Sequence, residues 1–401
     1  MTSTGAGQKW GLRPIFEFLV VGICTITFTF TVLGLLGSML STNSAGSHDF
    51  VEYWASGRLL AEHANPYDTG ALQSLELSAG FPKNAHTLIM GNPPSALLVT
   101  LPLGMVSAVA GEWLWLLLML VSLVVSVQML RAMYGLPKGP LHLLAYAFAP
   151  VLTCMLAGQI CLFMLLGLVL FLRWHSSRPF LAGVALWLCL LKPHLFLPIG
   201  AVLLIWIVRT RCYRILAGTG TAASLSSAIA TALDPKVWTQ YGTMMGSERI
   251  DRLSLPCLST ALRQLVYPHT FWVQALPAVV GCAWGIWYFL KHRADWDWME
   301  HGSILVLVSV LVAPYSWFMD QAILLPAMFV GLYTTRSRTW IAIFALMSAA
   351  IEIAAFRGVI PASPFYLWTA PGWLLWFLIA TRQRGSAERR LNQSMGQMIS
   401  R

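Results

Sequence analysis

The sequence predicts an all-α polytopic membrane protein on three observations: 57% of its 401 residues are hydrophobic, only 10% are charged, and the apolar residues gather in thirteen separate runs. A soluble domain is roughly 45–50% apolar and about 25% charged, so a soluble globular enzyme is excluded. The mean hydropathy is +0.67. The net charge is +10, yet Lys and Arg punctuate the apolar runs instead of clustering on a polar surface. That excludes a disordered or nucleic-acid-binding protein.

In chain order the runs lie near 18–40, 92–109, 113–130, 141–156, 160–172, 180–191, 195–208, 215–233, 271–290, 303–318, 321–335, 340–356 and 364–380. The first exceeds the apolar region of a cleavable signal peptide, roughly 7–15 residues, and reads as a membrane anchor. A spanning helix needs about 20 mostly apolar residues. If all thirteen runs crossed, the basic clusters would not share one face. The run 92–109 carries Pro93, Pro94 and Pro102 and reads as a re-entrant or surface-lying outer segment. Twelve spans remain.

With that choice 18 of the 26 Lys and Arg lie inside, and 11 of the 16 acids lie outside. This bias places both termini in the cytoplasm of a multi-pass plasma (inner) membrane protein. The expected organisation is a single membrane domain, 1–401. It has a cytoplasmic N-terminus (1–17), a first outer loop with its re-entrant segment (41–112), an outer loop (234–270) and a basic cytoplasmic tail (381–401). Seven cysteines without a C-x-x-C pair suggest neither a zinc site nor a disulfide framework, and read as small buried hydrophobes.

Outer segments carry the candidate chemistry, because an ionisable residue at membrane depth is costly and marks function by default. Asp49 stands just beyond the first span, between His48 and a helix expected to begin near Phe50. It is either an N-cap of that helix or a reactive acid. Tyr53 and Trp54 read as an interfacial belt or a substrate platform, and Arg58 follows on the same segment. Ala157-Gly158-Gln159 forms an outer turn. Lys192, next to Pro193 and His194, is the only full charge between Pro179 and Val208; it snorkels at a helix end or binds an anion. Loop 234–270 adds Arg249, Arg252 and Arg263, and the turn Ala313–Gln321 adds Asp320. Glu352 and Arg357 read as an ion pair at a helix end.

These residues, taken in order, resemble glycosyltransferase family 87, the DUF2029-type polytopic enzymes of the GT-C class that include polyprenol-phosphate-mannose-dependent alpha-mannosyltransferases. The resemblance rests on Asp49-Phe50 with Tyr53-Trp54 and Gly57-Arg58, on Asn65-Pro66-Tyr67-Asp68, and on Pro93-Pro94. It continues with Gly158-Gln159, Arg178-Pro179 with Ala182-Gly183, Lys192-Pro193, and Pro314-Tyr315-Ser316-Trp317 with Leu324-Leu325-Pro326. It covers about 45 to 330. The chain departs from the pattern at Asn92, where the family often has Tyr, and at Met319-Asp320, where it often has His or Tyr.

The resemblance implies a GT-C-type fold, a polyprenyl-phosphate sugar donor, and a glycolipid or glycan acceptor hydroxyl on the extracytoplasmic face. It matches Asp49 to the general base and sets Lys192 near the donor phosphate. Arg263 and Arg252 are further candidates for that phosphate. His48, Tyr53, Trp54, Arg58, Gln159, His194 and Asp320 are candidate substrate-binding residues. One base and direct displacement predict inversion. No cofactor or metal is expected in the transfer: the single Asp-x-Asp motif, Asp295-Trp296-Asp297, falls on the cytoplasmic side and reads, with Glu300, as a solvated loop. Two rival classes share the composition. One is a transporter or lipid flippase; the other is a polysaccharide polymerase or ligase.

Overall fold

A computed structural model describes residues 12–41, 49–83, 86–137, 139–247, 255–335 and 337–382. Every regular element among them is helical. In chain order these are α1 (Leu12–Ser41), α2 (Phe50–Ala61), α3 (Thr69–Ser78), α4 (Leu97–Gly104), α5 (Ala108–Met133), α6 (Ala149–Ala157), α7 (Cys161–Trp174) and α8 (Pro179–Leu186). There follow α9 (Leu197–Thr210), α10 (Arg214–Leu233), α11 (Val237–Ser247), α12 (Leu258–Val266), α13 (Leu276–His292), α14 (His301–Leu311), α15 (Leu325–Thr334), α16 (Arg338–Phe356) and α17 (369–382).

Six stretches are long and apolar enough to cross a membrane: Ile15–Gly34, Ala108–Met133, Pro193–Thr210, Arg214–Leu233, Phe271–His292 and Arg338–Phe356. They carry many exposed large apolar side chains, such as Phe18, Ile23, Leu117, Leu204, Val280 and Leu346. Water would not tolerate so continuous an apolar surface, and lipid does. The chain is therefore a multi-pass membrane protein.

Other apolar runs form shorter helices, among them Cys161–Trp174, His301–Leu311 and Phe318–Thr334. Their burial explains the length. α7 is apolar on every side and buries ten of its fourteen residues, packing against α5, α8 and the 3-10 helices Trp187–Leu191 and Phe318–Leu324. A helix that is hydrophobic all round belongs in a core, and hydropathy alone does not separate such a helix from a span. The run 141–156 is likewise not one helix. A 3-10 helix, Pro140–Ala145, precedes α6, and proline opens each piece. Twelve crossings therefore remain an expectation, and helix length accounts for six.

The segment between α1 and α5, expected as the first outer loop, is folded. α2 buries nine of its twelve residues and crosses α4 so closely that a Cβ on Gly57 would meet the Thr100 carbonyl. Only hydrogen fits there. The run 92–109 becomes a short 3-10 turn, Pro94–Ala96, followed by α4, in keeping with a segment too short to span. The expected Glu352–Arg357 pair is corrected: among the described residues the salt bridges are Arg58–Glu62 and Lys192–Asp320. Positions five apart do not share a helix face.

Candidate active site

Asp49 occupies the N-cap position of α2, but its side chain makes no capping hydrogen bond. Instead Gln159 Nε2 donates to Asp49 Oδ2 over 2.7 Å. By contrast Asp68 caps α3 in the ordinary way, accepting from the Ala71 N–H over 2.7 Å. The capping reading of Asp49 is thus set aside by geometry.

The meeting of Asp49 and Gln159 depends on Gly158. It ends α6 with φ +71°, in the left-handed region, and a Cβ there would stand 2.9 Å from that of Phe50. Glycine alone satisfies both the dihedral and the space. The Gly158 carbonyl accepts from the Trp115 indole over 2.7 Å, which holds the turn against α5.

The Gln159 amide is used on both sides. Its Oε1 accepts from the Tyr53 hydroxyl over 3.0 Å and from Lys192 Nζ over 3.2 Å. Lys192 Nζ also donates to Asp320 Oδ1 over 2.8 Å. Asp320 is buried, and its Oδ1 takes the Cys161 thiol at 2.9 Å while Oδ2 takes the Trp317 N–H at 2.8 Å. One hydrogen-bonded chain therefore links a carboxylate at the start of α2 to an ion pair between membrane elements.

Local breaks in the helices make this possible. Lys192 separates two 3-10 helices, Trp187–Leu191 and Pro193–Phe196, and Asp320 lies in a third, Phe318–Leu324. Interrupted helices expose backbone and polar side chains only where protein or a cavity receives them. Asn92 secures the first break by donating from Nδ2 to the Leu191 carbonyl over 2.6 Å, and its own carbonyl accepts from Tyr67 over 3.2 Å. Asn92 thus fixes the backbone beside Lys192.

Glu52 was not singled out by the sequence. It lies three residues after Asp49, one helical turn away on the same face, and that spacing was the available signal. Burial pushes its carboxyl up to about 8, and the neighbouring Asp49 charge adds to the effect. Glu76, whose carboxylate accepts from the Leu88 N–H over 3.1 Å, is likewise raised by burial to about 7.

The remaining expected residues separate. His194 stacks on Tyr315 with ring centroids 3.8 Å apart, and its buried Nε2 has no hydrogen-bond partner among the described residues. Trp54 is buried and donates to the Val106 carbonyl over 3.1 Å. Arg58 lies about 13 Å along α2 from Asp49, where it pairs with Glu62 at 2.6 Å; it is no part of the Asp49 cluster. Arg263 is buried in α12. One turn earlier on that helix, Ser259 bonds the Val312 carbonyl over 3.3 Å, so α12 sits beside the turn that leads to Asp320. His48 and Arg252 lie outside the described residues.

Near the cluster a cleft of about 530 Å³ opens between the α2–α3 turn and α11, lined by Asn65, Tyr67, Asp68, Lys236, Thr239 and Gln240. Tyr67 borders both this cleft and Asn92. The arrangement provides a carboxylate, an ammonium held by Gln159, Asp320 and, at 4.0 Å, the Cys161 sulfur, and a polar groove beside them. The family model described as glycosyltransferase family 87 matches residues 91–314, more than half of the chain. The matched stretch includes Gln159 and Lys192 and stops short of Asp49 and Asp320. No curated protein and no solved structure matches the chain.

Proposed function

Because the chain belongs to glycosyltransferase family 87, we propose that it moves a single hexose, mannose, from a polyprenyl-phosphate donor to an acceptor hydroxyl on the extracytoplasmic face. The chain is a glycosyltransferase in a membrane, so the transporter and flippase readings fall away. The donor, the sugar and the roles below are our reading of the site.

Asp49 takes the acceptor proton. The observation that carries this is the 2.7 Å bond from Gln159 to Asp49 Oδ2, which replaces a cap and leaves the carboxylate aimed by an amide. Glu52, raised to about 8, holds its proton at neutral pH and is not the base. General-base assistance supplies about 10²–10⁴-fold, and alignment of the two substrates supplies much of the rest.

Lys192 meets the leaving phosphate. An ammonium has three N–H donors; Gln159 and Asp320 take one each, the third meets the Cys161 sulfur at 4.0 Å, and that weak contact gives way to the phosphate as its charge grows. Placed charge of this kind stabilises a transition state without reorganisation. His194 Nε2 supplies a second polar contact on that side. The reaction so written needs no metal. Attack opposite the departing phosphate inverts the anomeric carbon, and the acceptor's own sugars lie in the cleft bordered by Tyr67 and Lys236.

The test is sugar transfer in proteoliposomes from a panel of polyprenyl-phosphate sugars to a native lipid extract, with wild type and Asp49→Asn compared. Consumption of one donor by the wild type alone supports the reading and names the sugar. Transfer of a whole glycan block would favour the polymerase or ligase class. Equal transfer by both proteins would remove Asp49 as the base.

A further inference from the structure

We infer that His292, Asp295 and His301 form a binding site for one divalent transition-metal ion of the Zn²⁺ type, at the far end of α14 from the transfer site. His292 closes α13, His301 opens α14, and Asp295 lies in the turn between them. One ligand atom from each residue lies within 4.8 Å of the other two. Two imidazoles and one carboxylate are a donor set that suits zinc, with solvent as the fourth ligand. Metal–ligand bonds of about 2.0–2.2 Å place ligand atoms roughly 3.3 Å apart, so closure needs only a side-chain movement. Asp295 is exposed on its turn and has the freedom to make it.

His301 is already prepared as a ligand. Its ring is buried, its Nδ1 is 2.8 Å from the Tyr288 hydroxyl, and Trp296 stacks on it at 4.9 Å with planes 14° apart. With Nδ1–H donating to the Tyr288 oxygen, the Nε2 lone pair is left for a metal, the arrangement that second-shell partners of metal-bound histidine commonly provide. The same tyrosine ring lies 4.7 Å from His292, and the two imidazoles are 5.0 Å apart. Trp296 and Trp298 pack edge to face beside them. Aromatic walls of this kind limit solvent access and hold the imidazoles in place.

α14 has eleven residues and is therefore about 16 Å long. Its first residue is His301, and the turn carrying Tyr315 and Asp320 follows its last. The ion takes no part in sugar transfer. It clips α13 to α14, and α14 in turn carries that turn. The Asp-x-Asp stretch thus divides its work: Asp295 faces the histidines, while Asp297 Oδ1 accepts from the Glu300 N–H over 2.9 Å as a local cap.

The experiment uses the full chain purified in detergent, stripped with a chelator, and equilibrated with Zn²⁺ or Co²⁺. Bound zinc is counted by mass spectrometry, and the cobalt form is read by visible absorption. Uptake of roughly one Zn²⁺ per chain is expected, with the visible band of a four-coordinate cobalt site. Asp295→Asn, a surface substitution that leaves the fold intact, should weaken binding at least about tenfold. Tyr288→Phe should weaken it roughly 10–100-fold through loss of the hydroxyl on Nδ1. Sugar transfer by Asp295→Asn should match the wild type. Zinc uptake that persists unchanged in a His292→Ala/Asp295→Asn double variant would overturn the inference, as would a wild type that takes up none at micromolar zinc.

Discussion

Lys192 and Asp320, 128 positions apart, are joined by a 2.8 Å hydrogen bond in which the acid is 1% exposed and the lysine 12%. Neither charge is isolated, and each occupies a break in a helical element. Removing one partner of such a pair leaves the other buried and uncompensated, at a cost of about 3–5 kcal/mol. Asp320→Asn is therefore expected to lower the thermal midpoint in detergent clearly. A Lys192→Met/Asp320→Asn double variant should recover much of that loss while remaining inactive. If the single variant unfolds at the wild-type temperature, the pair does not stabilise the fold.

Asp49→Asn is expected to reduce the transfer rate by about 10²–10⁴-fold without a change in thermal midpoint. The asparagine retains an oxygen that accepts from Gln159 Nε2, so the local geometry survives. Initial rates in proteoliposomes with saturating donor check it; a loss of less than tenfold would assign the base elsewhere.

Gly158→Ala tests the turn that brings Gln159 to Asp49. The alanine would need a left-handed backbone, costing about 1–2 kcal/mol, and its Cβ would crowd that of Phe50 at 2.9 Å. Lower stability and a fall in transfer rate are expected together. Gln159→Glu provides the companion measurement: it places a second acid against Asp49 and should slow transfer while the turn itself stays intact.

Glu52 gives a pH dependence of defined sign. Its carboxyl ionises near its ordinary value of 4.5 when unfolded and near 8 in the native state, so the folded protein holds more protons between these limits. Stability must then fall as pH rises from about 4.5 to about 8. Glu76, raised to about 7, acts in the same direction. Thermal midpoints of wild type and Glu52→Gln, measured from pH 5 to 9, should converge at the acid end, with the variant relatively more stable at the alkaline end. Parallel curves would show that Glu52 is not enclosed as described.

The membrane class, the long spans and most members of the site were legible in the chain itself. Hydropathy reports transfer out of water, and a charge in an apolar run costs too much to stand there by accident, so Lys192 and Asp320 both drew notice. The sequence placed Asp49, Gln159, Lys192 and Asp320 in four different segments of one face. It did not say which of them touch. Nor did it reveal Glu52, which required seeing α2 folded against the core, or Asn92, whose part is to hold the Leu191 carbonyl.

Some assignments were beyond any linear pattern. Trp54 and Arg58 follow Asp49 on one segment, but Trp54 points to the Val106 carbonyl beyond α4 and Arg58 to Gly104 and Glu62, because rotation of about 100° per residue sends neighbours to different faces. α7 is apolar on every side and buried among other helices, and composition alone does not say whether such a helix also crosses the membrane, since apolar residues satisfy lipid and protein interior alike. Hydrophobicity, which is additive along the chain, was decided by the sequence. Partnership, which depends on where Gly158, Lys192 and Asp320 interrupt their helices and bring distant side chains within 3 Å or so, was decided only by the tertiary structure.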